Sequence, residues 1–190
     1  EELKRQKNEA LKKRDEILKR IGILQQVKLL FQHSSVYARE QARQQIQQMV
    51  TQALQYTFGP DISFEVELLE RRGQPDAEFY VVSNYDGTVV RTSPLDARGG
   101  GVVDVVSMAL RIALLETSLP PLKGPLILDE PGKHVSQEFA PNLARLLKSL
   151  SDAFGRQVLM VTHNRHFAEN ADRVYVVDLV DGISCVRPLE

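Results

Sequence analysis

The sequence predicts an α/β fold that combines a long N-terminal helix, an antiparallel meander and a small parallel sheet. Its start is rich in Lys, Glu, Arg and Leu and has no proline, which favours helix. Residues 62–68 then alternate polar and apolar side chains, as half-exposed strands do. Later residues form short, continuous apolar runs separated by helical segments, which is typical of buried parallel strands.

The composition is that of one globular domain. The formal net charge of the 190 residues is −1, which gives no global attraction to nucleic acid. Cys185 is the only cysteine, so an internal disulfide is excluded and a reducing, intracellular setting is favoured. No signal peptide and no apolar run of the roughly 20 residues that span a membrane is visible, so we expect a cytoplasmic protein. The chain starts with Glu1 rather than Met, and we expect a piece of a longer protein.

The N-terminal region predicts two helices. The first, over about 1–32, has a thin apolar seam among charged residues, so it either joins a coiled coil or packs on its own domain. We expect Ser34-Ser35 to break it and a second, amphipathic helix to follow over about 37–56. The heptad positions of the seam are Leu3, Ala10, Ile17 and Leu24.

Three antiparallel strands are predicted next. They cover residues 62–68, 79–83 and 88–91. A turn over 72–76 joins the first two, and Asp86-Gly87 is a strong hairpin signal for the second turn.

Helices and strands alternate in the remainder. An apolar helix is predicted over 103–119, ended by two prolines. The other predicted helices are 137–153 and 165–170, and the predicted strands are 126–128, 157–161, 173–178 and a closing 183–186.

Polar side chains end two of the apolar runs. Asp129 and Glu130 follow the first run, and His163 follows the next. Functional groups in open α/β sheets gather at the carboxyl ends of strands, so we expect these side chains at one edge. One carboxylate can hold a cation, the other can act as general base, and the histidine can donate to a phosphate. A local role at a helix start is the alternative for each.

A glycine run precedes the apolar helix. Glycines let backbone N–H groups approach a phosphate, and the helix N-terminus adds a positive dipole end. A flexible loop is the alternative. The residues concerned are Arg98, Gly99, Gly100 and Gly101.

In this order, the motifs resemble the C-terminal lobe of an ABC-type ATPase head, most of all the SMC-like branch with its SbcC-type DNA repair ATPases. Residues 126–131 resemble a Walker B motif, residues 161–164 a switch-histidine loop, and residues 99–101 the signature loop. The resemblance implies half of a P-loop-NTPase-like parallel sheet, with residues 1–56 as coiled-coil arm and connecting helix and 57–190 as the lobe.

The same resemblance implies ATP and Mg²⁺ as cofactors. Asp129 would help to hold Mg²⁺, Glu130 would activate the attacking water, and His163 would sense the γ-phosphate. The residues expected to meet a nucleotide held by the opposite head are Arg98, Gly99, Gly100, Gly101 and Ser136. The implied partners are the N-terminal P-loop lobe of the same protein, a second head in a homodimer, DNA and a nuclease subunit, with no membrane.

The sequence departs from the family pattern in three places. The usual Leu-Ser-Gly-Gly-Gln signature reads Arg-Gly-Gly-Gly-Val, Ser136 stands where Asp is usual, and no P-loop sequence occurs in the chain. We therefore expect half of an SMC-like head in DNA repair, recombination or maintenance, which hydrolyses ATP only with its missing lobe. The alternatives are a degenerate, non-hydrolysing dimerisation or DNA-binding module and the ATPase subunit of an ABC transporter.

Overall fold

The computed structural model describes residues 1–96 and 99–189, and the predicted mixed α/β fold is confirmed. The chain forms two compact units, Glu1–Ala42 and Arg43–Glu190. The predicted boundary between residues 56 and 57 stays a prediction. In the described part of the chain, helices that combine the length and the hydrophobicity needed to span a membrane are absent.

Helix α1 spans Glu2–Phe58 without interruption, so the predicted break at Ser34-Ser35 is wrong. Serine costs only about 0.5 kcal/mol relative to alanine inside a helix, and no Gly or Pro lies nearby to end it. Arg39 also donates from Nη2 to Ser35 Oγ at 3.1 Å and from Nε to Ser35 O at 3.2 Å, one helical turn away. The seam positions Leu3, Ile17 and Leu24 are all exposed.

The predicted meander is present, with longer strands than the sequence indicated. The predicted turn over 72–76 shortens to Arg72-Gly73, since both residues have positive φ and allow a tight turn that pairs the strands up to its edge. Asp86-Gly87 forms the second turn as predicted. The strands, in the order of the sheet, are β1 Ile62–Arg71, β2 Gln74–Tyr85 and β3 Thr88–Thr92.

Side chains of α1 close the outer edge of β1. Thr51 Oγ1 accepts the N–H of Phe64 at 3.0 Å and donates to the Phe64 carbonyl at 3.2 Å. Gln47 Oε1 accepts the N–H of Val66 at 3.0 Å. These bonds satisfy backbone groups that an edge strand would otherwise leave open.

The remaining elements follow the predicted alternation, with ends shifted by a few residues. Helix α3 starts later than predicted, because residues 136–139 form a turn in which Ser136 O accepts two backbone N–H groups. The helices are α2 Gly100–Thr117, α3 Ala140–Phe154 and α4 Arg165–Glu169. The strands are β4 Leu126–Asp129, β5 Val158–Val161, β6 Tyr175–Val180 and β7 Ile183–Pro188.

Two further sheets contain these strands. Strand β4 pairs with β5 in parallel, in a register that sets Asp129 beside Val161, and β6 pairs with β7 as an antiparallel hairpin. The core lies between the end of α1, the inner face of the meander, α2, α3 and one face of β4. Its largest fully buried side chains are Phe64, Leu54, Leu143, Val50, Val81 and Val105.

Candidate functional site

The parallel pairing of β4 and β5 brings Glu130 and His163 together. The N–H of Glu130 donates to the carbonyl of Val161 at 2.9 Å, which extends the pairing one residue past β4. His163 Nδ1 lies 2.8 Å from Glu130 Oε2. The two side chains are therefore within hydrogen-bond distance at the carboxyl ends of adjacent strands, where functional groups of such sheets gather.

Glu130 has an unusual backbone conformation. Its φ of +45° lies in the left-handed region, which costs a residue with a Cβ about 1–2 kcal/mol. The strand-end hydrogen bond to Val161 helps to hold it there. Strained residues of this kind cluster at functional sites, where surrounding structure imposes the geometry. The carboxylate is 32% exposed and the imidazole 76%, so both can reach a substrate.

Asp129 ends β4 with its side chain exposed, on the opposite alternation from buried Leu128. Among residues 1–96 and 99–189, groups of three or more metal-ligating side chains are absent. Mg²⁺ is usually held by one or two carboxylates together with phosphates and waters. Asp129 therefore fits a Mg²⁺ site as one ligand, and the described residues do not form a complete cage.

The three glycines of the run differ in their surroundings. Gly99 precedes α2 with φ +88° and has no atom within 4 Å of where a Cβ would stand, so its surroundings are open. Gly100 and Gly101 begin α2 and pack on the loop after Glu130. A Cβ on Gly101 would lie 2.9 Å from the carbonyl oxygen of His134. Arg98 lies outside the described residues.

Packing alone therefore requires two of the three glycines. The sequence does not reveal this, because the contact joins segments about 30 residues apart. For the same reason the sequence does not show that His134, an exposed residue, pairs with Asp104 across this contact. Ser136 is exposed in the same loop, and its predicted contact with a nucleotide stays a prediction.

The chain is similar in sequence to the DNA double-strand break repair Rad50 ATPase of Methanopyrus kandleri. The two are 30% identical over 194 residues, which cover 96% of this chain and 20% of that protein. The chain thus spans about a fifth of the length of this relative. No protein-family model matches the chain.

Solved SMC head domains share the fold. The head of Pyrococcus yayanosii Smc, with its coiled coil and joint, superimposes with a TM-score of 0.64 at 20% identity, over 86% of this chain and 30% of that one. The Thermotoga maritima SMC head gives 0.53 at 26% identity, over 77% and 48%. A further SMC ATPase structure, from work on ATP-driven dimerization and DNA-stimulated activation, gives 0.63 at 21% identity, over 82% and 89%.

These comparisons confirm the predicted resemblance to an SMC-like ABC ATPase head. The long α1, the antiparallel strands and the parallel pair all have counterparts in those heads. The altered signature and the roles of the individual site residues stay predictions.

Proposed function

We propose that the chain supplies the hydrolytic edge of an SMC-like ABC ATPase head, a name used here for the carboxyl ends of β4 and β5 with Asp129, Glu130 and His163. The proposal is supported by the fold that the chain shares with such heads and by its sequence similarity to a Rad50 ATPase. The protein that contains it would bind and hydrolyse ATP in DNA repair, recombination or chromosome maintenance. The observation that carries this proposal is the 2.8 Å contact between Glu130 and His163 at the carboxyl ends of two adjacent parallel strands.

Each side chain at this edge has a role that its position allows. Glu130 would accept a proton from the attacking water, as a general base within reach of a reacting phosphate. His163, held against Glu130 through Nδ1, would present Nε2 to the γ-phosphate. Asp129 would be one ligand of Mg²⁺, which when bound neutralises phosphate charge.

The phosphate-binding part of the site would come from an N-terminal P-loop lobe of the same protein. The outer face of the parallel pair is uncovered and, apart from Asp129 at the end of β4, apolar, with Ile127 67% exposed and Val161 66% exposed. Parallel sheets are normally covered by other elements on both faces. This face therefore suits a covering layer supplied by the P-loop lobe. The chain by itself would then be inactive.

A second head would bind across the nucleotide. Gly99 is the glycine whose surroundings leave room for a phosphate, and Ser136 is exposed on the neighbouring loop. Arg98 would add positive charge to the same surface. DNA and a nuclease subunit are the further partners that a head of this kind would serve.

The proposal can be tested in the complete head with a Glu130→Gln substitution. We expect ATP binding to persist while phosphate release slows by roughly 10²- to 10⁴-fold, because the amide cannot take the proton. Glu70→Gln, an exposed glutamate on β1, is the matched control and should leave the rate unchanged. An unchanged rate of hydrolysis in Glu130→Gln would contradict the assignment of Glu130 as the general base.

One observation favours a second candidate, a non-hydrolysing dimerisation or DNA-binding module with a degenerate head. Gly100 and Gly101 are explained by packing within the chain, so the altered signature needs no nucleotide contact to account for them. ATP-dependent dimerisation without any phosphate release, measured by light scattering and a phosphate assay, would favour this candidate. The SMC-type α1 and meander give no support to a transporter subunit.

A further inference from the structure

We propose that Asp104 is a positioning residue for hydrolysis, which holds the loop that follows Glu130 through His134. The inference rests on the proposed function. Asp104 lies in the second turn of α2, and the loop over residues 132–136, called the 132–136 loop below, lies between the Glu130 edge and α3.

Asp104 holds both the backbone and the side chain of His134. Its Oδ2 accepts the N–H of His134 at 2.9 Å, and its two carboxylate oxygens lie 3.3 and 3.2 Å from His134 Nδ1. The Asp104 side chain is 24% exposed and the imidazole 60%. A partly buried carboxylate that accepts two bonds from one residue fixes that residue more firmly than a single exposed ion pair.

The glycines let α2 approach the loop closely enough for these bonds. A Cβ on Gly100 would lie 2.8 Å from His134 Cβ, and a Cβ on Gly101 would lie 2.9 Å from the carbonyl oxygen of His134. Real Cβ atoms do not come so close, so the start of α2 meets the loop nearly backbone to backbone.

Helix α3 holds the loop from another side. Gly132 has φ +71°, and a Cβ there would lie 2.5 Å from Leu143 Cδ2. Val135 is buried, at 8% exposure. The 132–136 loop is thus clamped between two helices, and its first residue is only two positions after the strained Glu130. Asp104 supplies the polar part of this clamp.

Small displacements of a catalytic group can cost as much as 10²-fold in rate, so the position of this loop affects hydrolysis directly. Releasing the loop would let Glu130 leave its left-handed conformation, which is disfavoured locally. The Asp104–His134 contact also joins the start of α2, where the glycine run is expected to face the opposite head, to the 132–136 loop. That loop follows Glu130, whose carboxylate is proposed to act on water.

The inference makes a graded prediction for three substitutions in the complete head. Asp104→Ala removes both bonds and should lower kcat roughly 10- to 100-fold, with KM for ATP within about twofold. Asp104→Asn keeps an acceptor for the His134 N–H, and His134→Ala removes only the imidazole contact, so both should have smaller effects. The Asp104→Ala, His134→Ala double variant should be no slower than Asp104→Ala alone.

The control is Asp152→Ala, which also removes a helical carboxylate, here one that pairs with Lys148 at an exposed position, and should leave kcat unchanged. If kcat is unchanged in the Asp104 variants, and only the melting temperature falls or KM rises, then Asp104 has a structural role alone and the inference is overturned. If Asp104→Ala does not fold, Asp104→Asn and His134→Ala decide by the same kcat measurement. A wild-type head without hydrolysis would instead overturn the proposed function, and this inference with it.

Discussion

The two sheets that flank the core differ in what their outer faces present to solvent. In the meander, Arg91 on the outer face donates to Glu65 at 2.9 Å and to Glu67 at 2.7 Å, and its guanidinium lies 3.3 Å from the ring centre of Tyr80. Hydrogen bonds to Glu67 and then Glu65 hold the pKa of Arg91 above its ordinary value. This face carries charges that suit water.

Apart from Asp129 at the end of β4, the outer face of the parallel pair is apolar instead. Leu126 and Leu128 point into the core, whereas Ile127, Leu159 and Val161 are exposed between 46% and 67%. Because antiparallel sheets commonly have one wet face and parallel sheets have none, the meander is complete as it stands and the parallel pair lacks a layer. The site residues lie on the incomplete sheet, which is why we assign the rest of the site to another lobe.

The largest effect should come from placing a charge on the incomplete face. Ile127→Lys would leave an unpaired charge in the interface with the P-loop lobe, at a cost of about 3–5 kcal/mol, which corresponds to a hundredfold or greater loss of affinity. Val89→Lys on β3 is the matched control, since Val89 is 66% exposed and Ile127 67%. Binding of the two lobes measured by calorimetry should separate the two variants, and equal affinities would show that the face stays open.

Truncation of neighbours on β4 should separate its two faces. Leu128→Ala removes a side chain that is 5% exposed and should lower the free energy of unfolding by about 2–5 kcal/mol. Ile127→Ala, one residue earlier, should change it by only about 0.5 kcal/mol in the isolated chain. Urea denaturation measures both, and a large loss for Ile127→Ala would mean that this chain covers the face itself.

The closed edge of the meander should give an intermediate effect. Gln47→Ala leaves the N–H of Val66 without its acceptor and should cost about 1–3 kcal/mol. Gln48→Ala, at an exposed position one residue on, is the control and should be close to neutral. Equal urea midpoints for the two variants would mean that water replaces Gln47 without loss.

The smallest effect concerns the exposed ion pair between Lys148 Nζ and Asp172, at 2.7 Å. The hydrogen bond from Lys148 lowers the pKa of Asp172 below its ordinary 3.8, so the pair stabilises the fold fully above that value. Its contribution is lost as the pH falls through the lowered pKa. Thermal melts between pH 6 and pH 2 should show slightly less acid sensitivity for Asp172→Asn than for the wild type, and identical pH profiles would contradict the assignment.

The sequence was sufficient for the order and type of the elements after α1, because periodicity and turn residues are local signals. It was also sufficient to place Glu130 and His163 at one edge, since two continuous apolar runs separated by a helical segment imply parallel strands, whose carboxyl ends lie together. It was misleading at Ser34-Ser35, where capping residues lie inside a helix that nothing breaks. The Asp104–His134 contact could not be predicted, because a bond between residues 30 positions apart leaves no periodic trace.

The central claim is that this chain carries the hydrolytic edge of a head whose phosphate-binding part lies on another lobe. The most direct measurement is phosphate release from ATP by this chain, by a separately produced N-terminal P-loop lobe, and by their mixture. We expect no hydrolysis from either part, hydrolysis from the mixture, and its loss when the chain carries Glu130→Gln. Hydrolysis by the chain alone, or an inert mixture of two folded and associated lobes, would contradict the claim.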